Sequence, residues 1–141
     1  MSGGQQRSIN IPAANYVFFG AGEVLADESW LMPYESQATS LTSGSEAGAT
    51  SHVQRDGVLR RMTISQTTPT VQPVVYTLQY FDRDTVAWVD TSVIGHVAVG
   101  ESTGMSQGSF ATSTFDLIRI RVNKAPAEPA VNLVRVFVEL A

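Results

Sequence analysis

Cysteine is absent from the 141 residues, which removes disulfide staples, thiolate zinc sites and thiol nucleophiles together. Lysine is nearly absent, with Lys124 alone against eight arginines. Charged residues make up 16% of the chain, against roughly 25% in an ordinary soluble domain. The formal net charge is −4, so clustered phosphate-gripping cations are missing and a nucleic-acid partner is not expected. No apolar run approaches the ~18 residues of a helical membrane span, and no membrane partner is expected. The start, Met1 to Arg7, is polar and lacks the apolar core of a secretory signal. No phosphate-cradling glycine loop of the G-x-x-x-x-G-K or G-x-G-x-x-G type occurs.

What is present is enough for one core. Hydrophobic residues are 43%, and the length suits a single domain. The chain is rich in Val, Thr and Ser and poor in Lys, Glu and Leu, a strand-and-turn composition. Val131 to Leu140 alternates strictly. Val134, Val136, Val138 and Leu140 fall on one side, and Leu133, Arg135, Phe137 and Glu139 on the other. Ile118, Ile120 and Val122 oppose Leu117, Arg119 and Arg121 in the same way within Thr114 to Val122. Val74, Tyr76, Leu78 and Tyr80 oppose Val75, Thr77, Gln79 and Phe81. Further strands are expected at Asn15 to Phe19, Ala49 to Gln54, Gly57 to Ser65, Thr85 to Val89, Val93 to Val99 and Met105 to Ala111. Turns are expected at Asp56-Gly57, Asp82 to Asp84, Gly100 to Gly104, and at the Pro-rich breaks Thr67 to Pro73 and Ala125 to Pro129. Glu23 to Met32 also has helix-compatible spacing through Val24, Leu25, Glu28 and Leu31. The expected fold is all-β: an antiparallel sandwich or jelly roll over residues 13–141, preceded by a flexible N-terminal arm, 1–12.

The chemistry-bearing patterns are weak. Gly104-Met105-Ser106-Gln107-Gly108 matches G-x-S-x-G, but a nucleophile elbow needs a helix after it and a His later in the chain. Both histidines, His52 and His96, come earlier, so Ser106 reads as a turn residue and no catalytic residue is assigned. His96, inside an apolar strand, reads as packed. Asp82, Asp84 and Asp90 lack the order of a dedicated calcium loop, and no metal or cofactor is expected. Trp88 reads as core or subunit interface. Trp30 and Tyr34 are the candidate contact aromatics, since exposed rings fill partner pockets or stack on sugars. Arg119, Arg121 and Arg135 are expected on neighbouring strands or a shared face, either as a solvated outer sheet or as a subunit interface, which arginine's planar fork suits, with Phe137 beside them.

One resemblance adds to this reading. Gly57-Val58-Leu59-Arg60-Arg61-Met62-Thr63-Ile64 looks like a "G-x-L-x-x-L/M-x-V/I" strand. Tyr76-Thr77-Leu78-Gln79-Tyr80-Phe81-Asp82-Arg83, then Phe115-Asp116-Leu117-Ile118-Arg119-Ile120-Arg121-Val122 and the last strand, follow in order. From Ala49 to Ala141 this layout resembles the small trimeric, tumour-necrosis-factor-like jelly rolls of phage particles and bacterial surface-fibre tips. Phe115-Asp116 stands where that family has Gly-Asp, and Phe81-Asp82-Arg83 where it often has Asn-Gly. The resemblance implies a homotrimer without chemistry of its own, located on a virion as a capsid decoration or head-fibre protein. The alternative is a receptor- or glycan-binding fibre tip. In the first case the arm, through Ile9, Ile11 and Pro12, is expected to grip the capsid.

Overall fold

A computed structural model describes residues 15–24, 26–33, 40, 46–106 and 108–141. Ile9, Ile11, Pro12 and Tyr34, and the boundary between arm and domain, lie outside the described residues. Among the described residues eleven strands run in chain order. They are β1 (Asn15–Val24), β2 (Glu28–Trp30), β3 (Met32–Pro33), β4 (Ser51–His52), β5 (Gly57–Ser65), β6 (Val74–Asp82), β7 (Ala87–Val97), β8 (Thr103–Met105), β9 (Ser109–Thr112), β10 (Leu117–Lys124) and β11 (Val131–Leu140). One 3-10 turn, Glu46–Ala49, precedes β4, and no α-helix occurs among the described residues.

The pairings are nested. β1 pairs with β11, β2 and β4 with β10, β5 with β8 and β9, and β6 with β7, all antiparallel. First with last, and so inward to a central hairpin, is the wrapping of a jelly roll. The ladder is one continuous path, β2-β10-β6-β7-β8-β5-β11-β1-β3, with β4 on β10 and β9 on β5. It folds at the single β7–β8 bridge into one layer of β3-β1-β11-β5 with β8 and β9 and another of β2 and β4 with β10-β6-β7. The inward faces are those the alternation predicts. Val134, Val136 and Val138 of β11, Ile118, Ile120 and Val122 of β10, and Val74, Tyr76 and Leu78 of β6 are fully buried in one core. Burying each such side chain contributes about 1.5–3 kcal/mol. Tyr76 keeps its hydroxyl satisfied inside by donating to Gln66 Oε1 at 2.6 Å. Burial pushes that phenol's pKa well above its usual range. Gly95 of β7 faces inward where a Cβ would meet Ile64 Cδ1 at 2.5 Å, so the layers close on glycine there.

Several expectations are corrected. The strands expected at Thr85 to Val89 and Val93 to Val99 merge into one, β7, broken by an irregularity, while Thr85, Val86, Ala98 and Val99 fall outside it. The register shifts between Thr77 and Gln79 of β6, and on β7 the Thr91 hydroxyl donates to Leu78 O at 2.8 Å and accepts from Val93 N at 3.1 Å. Polar Asp90-Thr91-Ser92 hides that continuity from a hydrophobicity pattern. Met105 to Ala111 is two strands, β8 and β9, because Ser106 leaves the ladder and turns inward. Glu23 to Met32 is not a helix: Val24 ends β1, and Leu31 points into the core beside β10, its amide bonded to Ile120 O at 3.1 Å. Finally, β10 and β11 are not neighbours. They lie in different layers, so Arg119 and Arg121 share no face with Arg135. Periodicity sets which side of a strand is apolar, but it does not say which strand lies next to which.

Candidate functional site: two opposed sheet faces and an open pole

The outer face of the β1–β11 layer carries a row of large side chains in register. Phe18 stands opposite Phe137, Phe137 opposite Thr63, and Thr63 opposite Met105, across four strands. Tyr16 and Phe18 are 43% and 38% exposed, and Met105 and Leu133 are 54% and 47% exposed. The rings meet as aromatic pairs do: Tyr16 meets Phe137 edge-on at 5.6 Å, and Phe18 lies 6.1 Å from Phe137. Arg61 is an extra residue in β5, with φ of +51°, where the pairing with β11 shifts between Val138 and Glu139. This bulge leaves Arg60 and Arg61 both beside Glu139, at 3.4 and 3.5 Å. The face is an apolar band flanked by Arg135 on one side and by this charge cluster on the other. Of the expected interface residues, Phe137 and Arg135 belong to it.

Arg119 and Arg121 sit on the outer face of the other layer and are engaged within the chain. The Arg119 guanidinium lies 4.1 Å from the Trp88 ring centre and 5.0 Å from that of Trp30. Its Nε donates to Gln79 Oε1 at 2.8 Å, and Trp30 Nε1 donates to the same oxygen at 3.3 Å. Gln79 Nε2 donates to Asp90 Oδ1 at 2.8 Å, and Arg121 Nη2 donates to Asp90 Oδ2 at 3.1 Å. Arg119 is 7% exposed and Trp30 5%. Trp30 is therefore no open contact surface, because β2 pairs to β10 and lays its indole beside Arg119. Trp88 is neither core nor open surface: it is half-buried on the outer face, one ring face covered by Arg119. The cross-strand partners Gln79 and Asp90 were not tied to the arginines from the sequence. Only the pairing of β6 with both β7 and β10 aligns them.

The other sequence candidates separate. Ser106 is 2% exposed, and its hydroxyl accepts from Met62 N at 2.9 Å while its amide donates to Met62 O at 2.9 Å. It is a structural clasp between β5 and the β8–β9 break. His96 is exposed rather than packed, pairing with Met105 across β7 and β8. Asp82 caps Asp84 N at 3.0 Å, while Asp90 serves the arginine network. Among the described residues no three His, Asp or Glu side chains gather as a metal site would require.

At one pole β1 begins, β5 begins and β11 ends, and the β6–β7 and β9–β10 loops close over them. Val86 and Phe115 both have positive φ, +54° and +71°, and are 74% and 69% exposed. The Phe115 loop is pinned by Arg83 Nη2 donating to Phe115 O at 2.9 Å, and by Phe115 N donating to Val53 O at 2.8 Å. Asp56 accepts from the Thr114 amide at 2.7 Å and from its hydroxyl at 2.9 Å. Those bonds, the amide's first, hold its carboxyl pKa below the ordinary value. Beside this loop lies an open cleft of about 360 Å³ between β1 and β4.

No protein-family model matches the sequence, and no curated protein matches it. Among solved structures, the crystal structure of murine APRIL at pH 8.5 overlaps 89% of this chain and 100% of its own, at 14% identity and a TM-score of 0.44. At that level the likeness adds nothing to the fold, which rests on the nested strand pairings.

Proposed function

We propose that this chain is a non-enzymatic structural protein of a virion, a phage capsid decoration or head-fibre protein, that works as a homotrimer. The observation that supports it is the aromatic band of Tyr16, Phe18 and Phe137, continued by Met105. A row of large apolar side chains left in water costs solubility, and contiguous patches of this kind mark interaction sites. Copies meeting through this face bury the band, with Arg135 and the Arg60–Arg61–Glu139 cluster at its rim, where charge sets register more than affinity. The rest of the molecule is then free to dock on the particle by area, aided by the segment that carries Ile9, Ile11 and Pro12. The engagement of Ser106 as a clasp is in keeping with a protein that binds and does no chemistry.

The experiment is light scattering on the full chain, followed by co-sedimentation with undecorated capsids. The expected mass is three times the 15.2 kDa of one chain, with saturable capsid binding. A monomer at micromolar concentration removes the trimer. Binding to cells or glycans with no retention on capsids replaces the decoration role by that of a fibre tip.

A further inference from the structure

The cleft at the open pole has strands for walls. Along one side run Asn15 to Phe18 of β1. Their inner neighbour is β11, and on the opposite edge β3 reaches only Phe19 and Gly20. Along the other side runs β4, held by β10 through Ser51 and His52, followed by Gln54 and Arg55. Among the described residues neither wall has a strand partner on its second edge. Such edges keep backbone donors and acceptors available to another extended chain. The volume, about 360 Å³, lies at the lower end of the range for ligand sites.

The charge of the lining is one-sided. It includes Arg55 and His52 and no Asp or Glu, in a chain whose net charge is −4. Arg55 is held entirely by neutral acceptors. Nη1 donates to Asp56 O at 3.0 Å and Nη2 to Leu140 O at 2.9 Å. With its amide oxygen turned toward Arg55, Asn15 accepts from Nε at 2.7 Å and from Nη2 at 3.1 Å. The neighbouring carboxylate, Asp56, is directed at Thr114 instead. The guanidinium is thus fixed in position while its charge has no carboxylate against it among the described residues. Phe115 forms a lip, its ring 6.2 Å from that of His52.

We propose that this cleft binds an extended, acid-bearing segment of a partner protein. The segment adds as a strand to the free edge of β1 and sets a carboxylate on Arg55. A carboxylate there accepts from the Nη1 hydrogen that the neutral acceptors leave over, a charge-assisted bond stronger than those to carbonyls, and the strand edge selects an extended backbone. The site goes beyond the assembly reading and does not require it.

The test uses the full chain, isotopically labelled, and two capped peptides. One alternates valine with aspartate, and the other has asparagine in place of aspartate. The aspartate peptide is expected to shift amides at Asn15 to Phe18 and Ser51 to Arg55, to slow hydrogen exchange along β1, and to bind about tenfold tighter than its partner. Gln54→Glu, an exposed change that puts like charge at the rim, is expected to weaken the aspartate peptide severalfold while leaving the thermal midpoint in place. Equal affinities, shifts mapping elsewhere, or no binding at millimolar peptide overturn the proposal. So do cleft shifts that follow protein concentration before any peptide is added, since a second copy would then be the occupant. Scattering on the same sample keeps the two readings apart: a monomer that binds the aspartate peptide removes the trimer and leaves this site standing.

Discussion

The outer faces of the two layers carry similar numbers of large rings and solve the same problem in opposite ways. On the β10 layer, Arg119 slides between Trp30 and Trp88 and covers a face of each, while its Nε donates to Gln79, which in turn donates to Asp90. The chain supplies its own lid, and little ring area is left for a partner. On the β11 layer, Tyr16, Phe18 and Phe137 meet one another, and Tyr16 and Phe18 stay more than a third exposed. Aromatic content therefore does not distinguish an interaction face from a closed one. What distinguishes them is whether the cross-strand neighbour is a cation with a flat fork or another hydrophobic group.

The largest expected effect breaks the closed face. Arg119→Ala removes two cation–π contacts of about 1 kcal/mol each. It also strips a charged donor from the nearly buried Gln79, so the total loss is about 3 kcal/mol. For a chain of this length the thermal midpoint falls on the order of 10 °C, read by calorimetry or circular dichroism. Arg119→Lys is expected to recover little, because an ammonium lacks the plane that fills the gap between two indoles. A midpoint unchanged by Arg119→Ala would mean that the stack is ornamental and the two faces are alike.

The second prediction breaks the open face. Replacing Phe18 and Phe137 together by serine is expected to cost the single chain about 2 kcal/mol, through the lost ring pairs, and to leave it folded. The same change is expected to abolish self-association, where each buried ring contributes about 1.5–3 kcal/mol. Sedimentation at matched concentration reads the second effect, and urea unfolding the first. Loss of stability without loss of association would reverse the assignment of the two faces.

Much of this architecture was legible from alternation alone. The buried sides of β6, β10 and β11 are the aliphatic sides, and the turns at Asp82 to Asp84 and at the two Pro-rich breaks fall between strands. Those breaks in fact hold each other: buried Glu128 accepts from Val71 N at 2.8 Å and from Gln72 N. The faces themselves were not legible. Arg119 and Arg135 look equivalent along the chain, each at an outward position of an alternating strand. They part company because β10 pairs with β6 and β2, which bring Gln79 and Trp30 to Arg119, while β11 pairs with β1 and β5, which bring only Gly20 and Ser65 opposite Arg135. That choice of neighbour is made by contacts distant in sequence, which local periodicity does not encode. Trp30 was misplaced for the same reason, because its burial depends on a side chain 89 positions away, Arg119.

A smaller effect is expected at the pole, which resembles the open face in exposing a ring and differs in that the ring-bearing residue itself takes a positive φ. Phe115 holds φ of +71°, a region that costs a β-carbon residue roughly 1–2 kcal/mol. Phe115→Asn, which tolerates that region, is expected to raise the unfolding free energy by about 0.5 kcal/mol after the loss of the contact with His52. If stability falls instead, the ring is held by packing within the chain, and the pole belongs with the closed face.

The smallest effect is a control that touches neither face. Asp56 lies at the pole, fully exposed, with its carboxyl pKa lowered below 3.8 by the Thr114 amide and then by the Thr114 hydroxyl. A carboxyl whose folded pKa is depressed stabilises the fold in its ionised form. That contribution is complete above the unfolded value and disappears as pH falls through the folded one. The urea midpoint of the native chain is therefore expected to exceed that of Asp56→Asn slightly at pH 7, and the gap to close as the solution is taken below pH 3.8. Solvent screening keeps the increment small. Association is expected to be identical for the two chains at neutral pH, since the loop that Asp56 ties lies off the aromatic band. A gap that widens on acidification would mean that Asp56 is held by repulsion and not by the Thr114 bonds. A change in association would mean that the pole and the open face act as one surface.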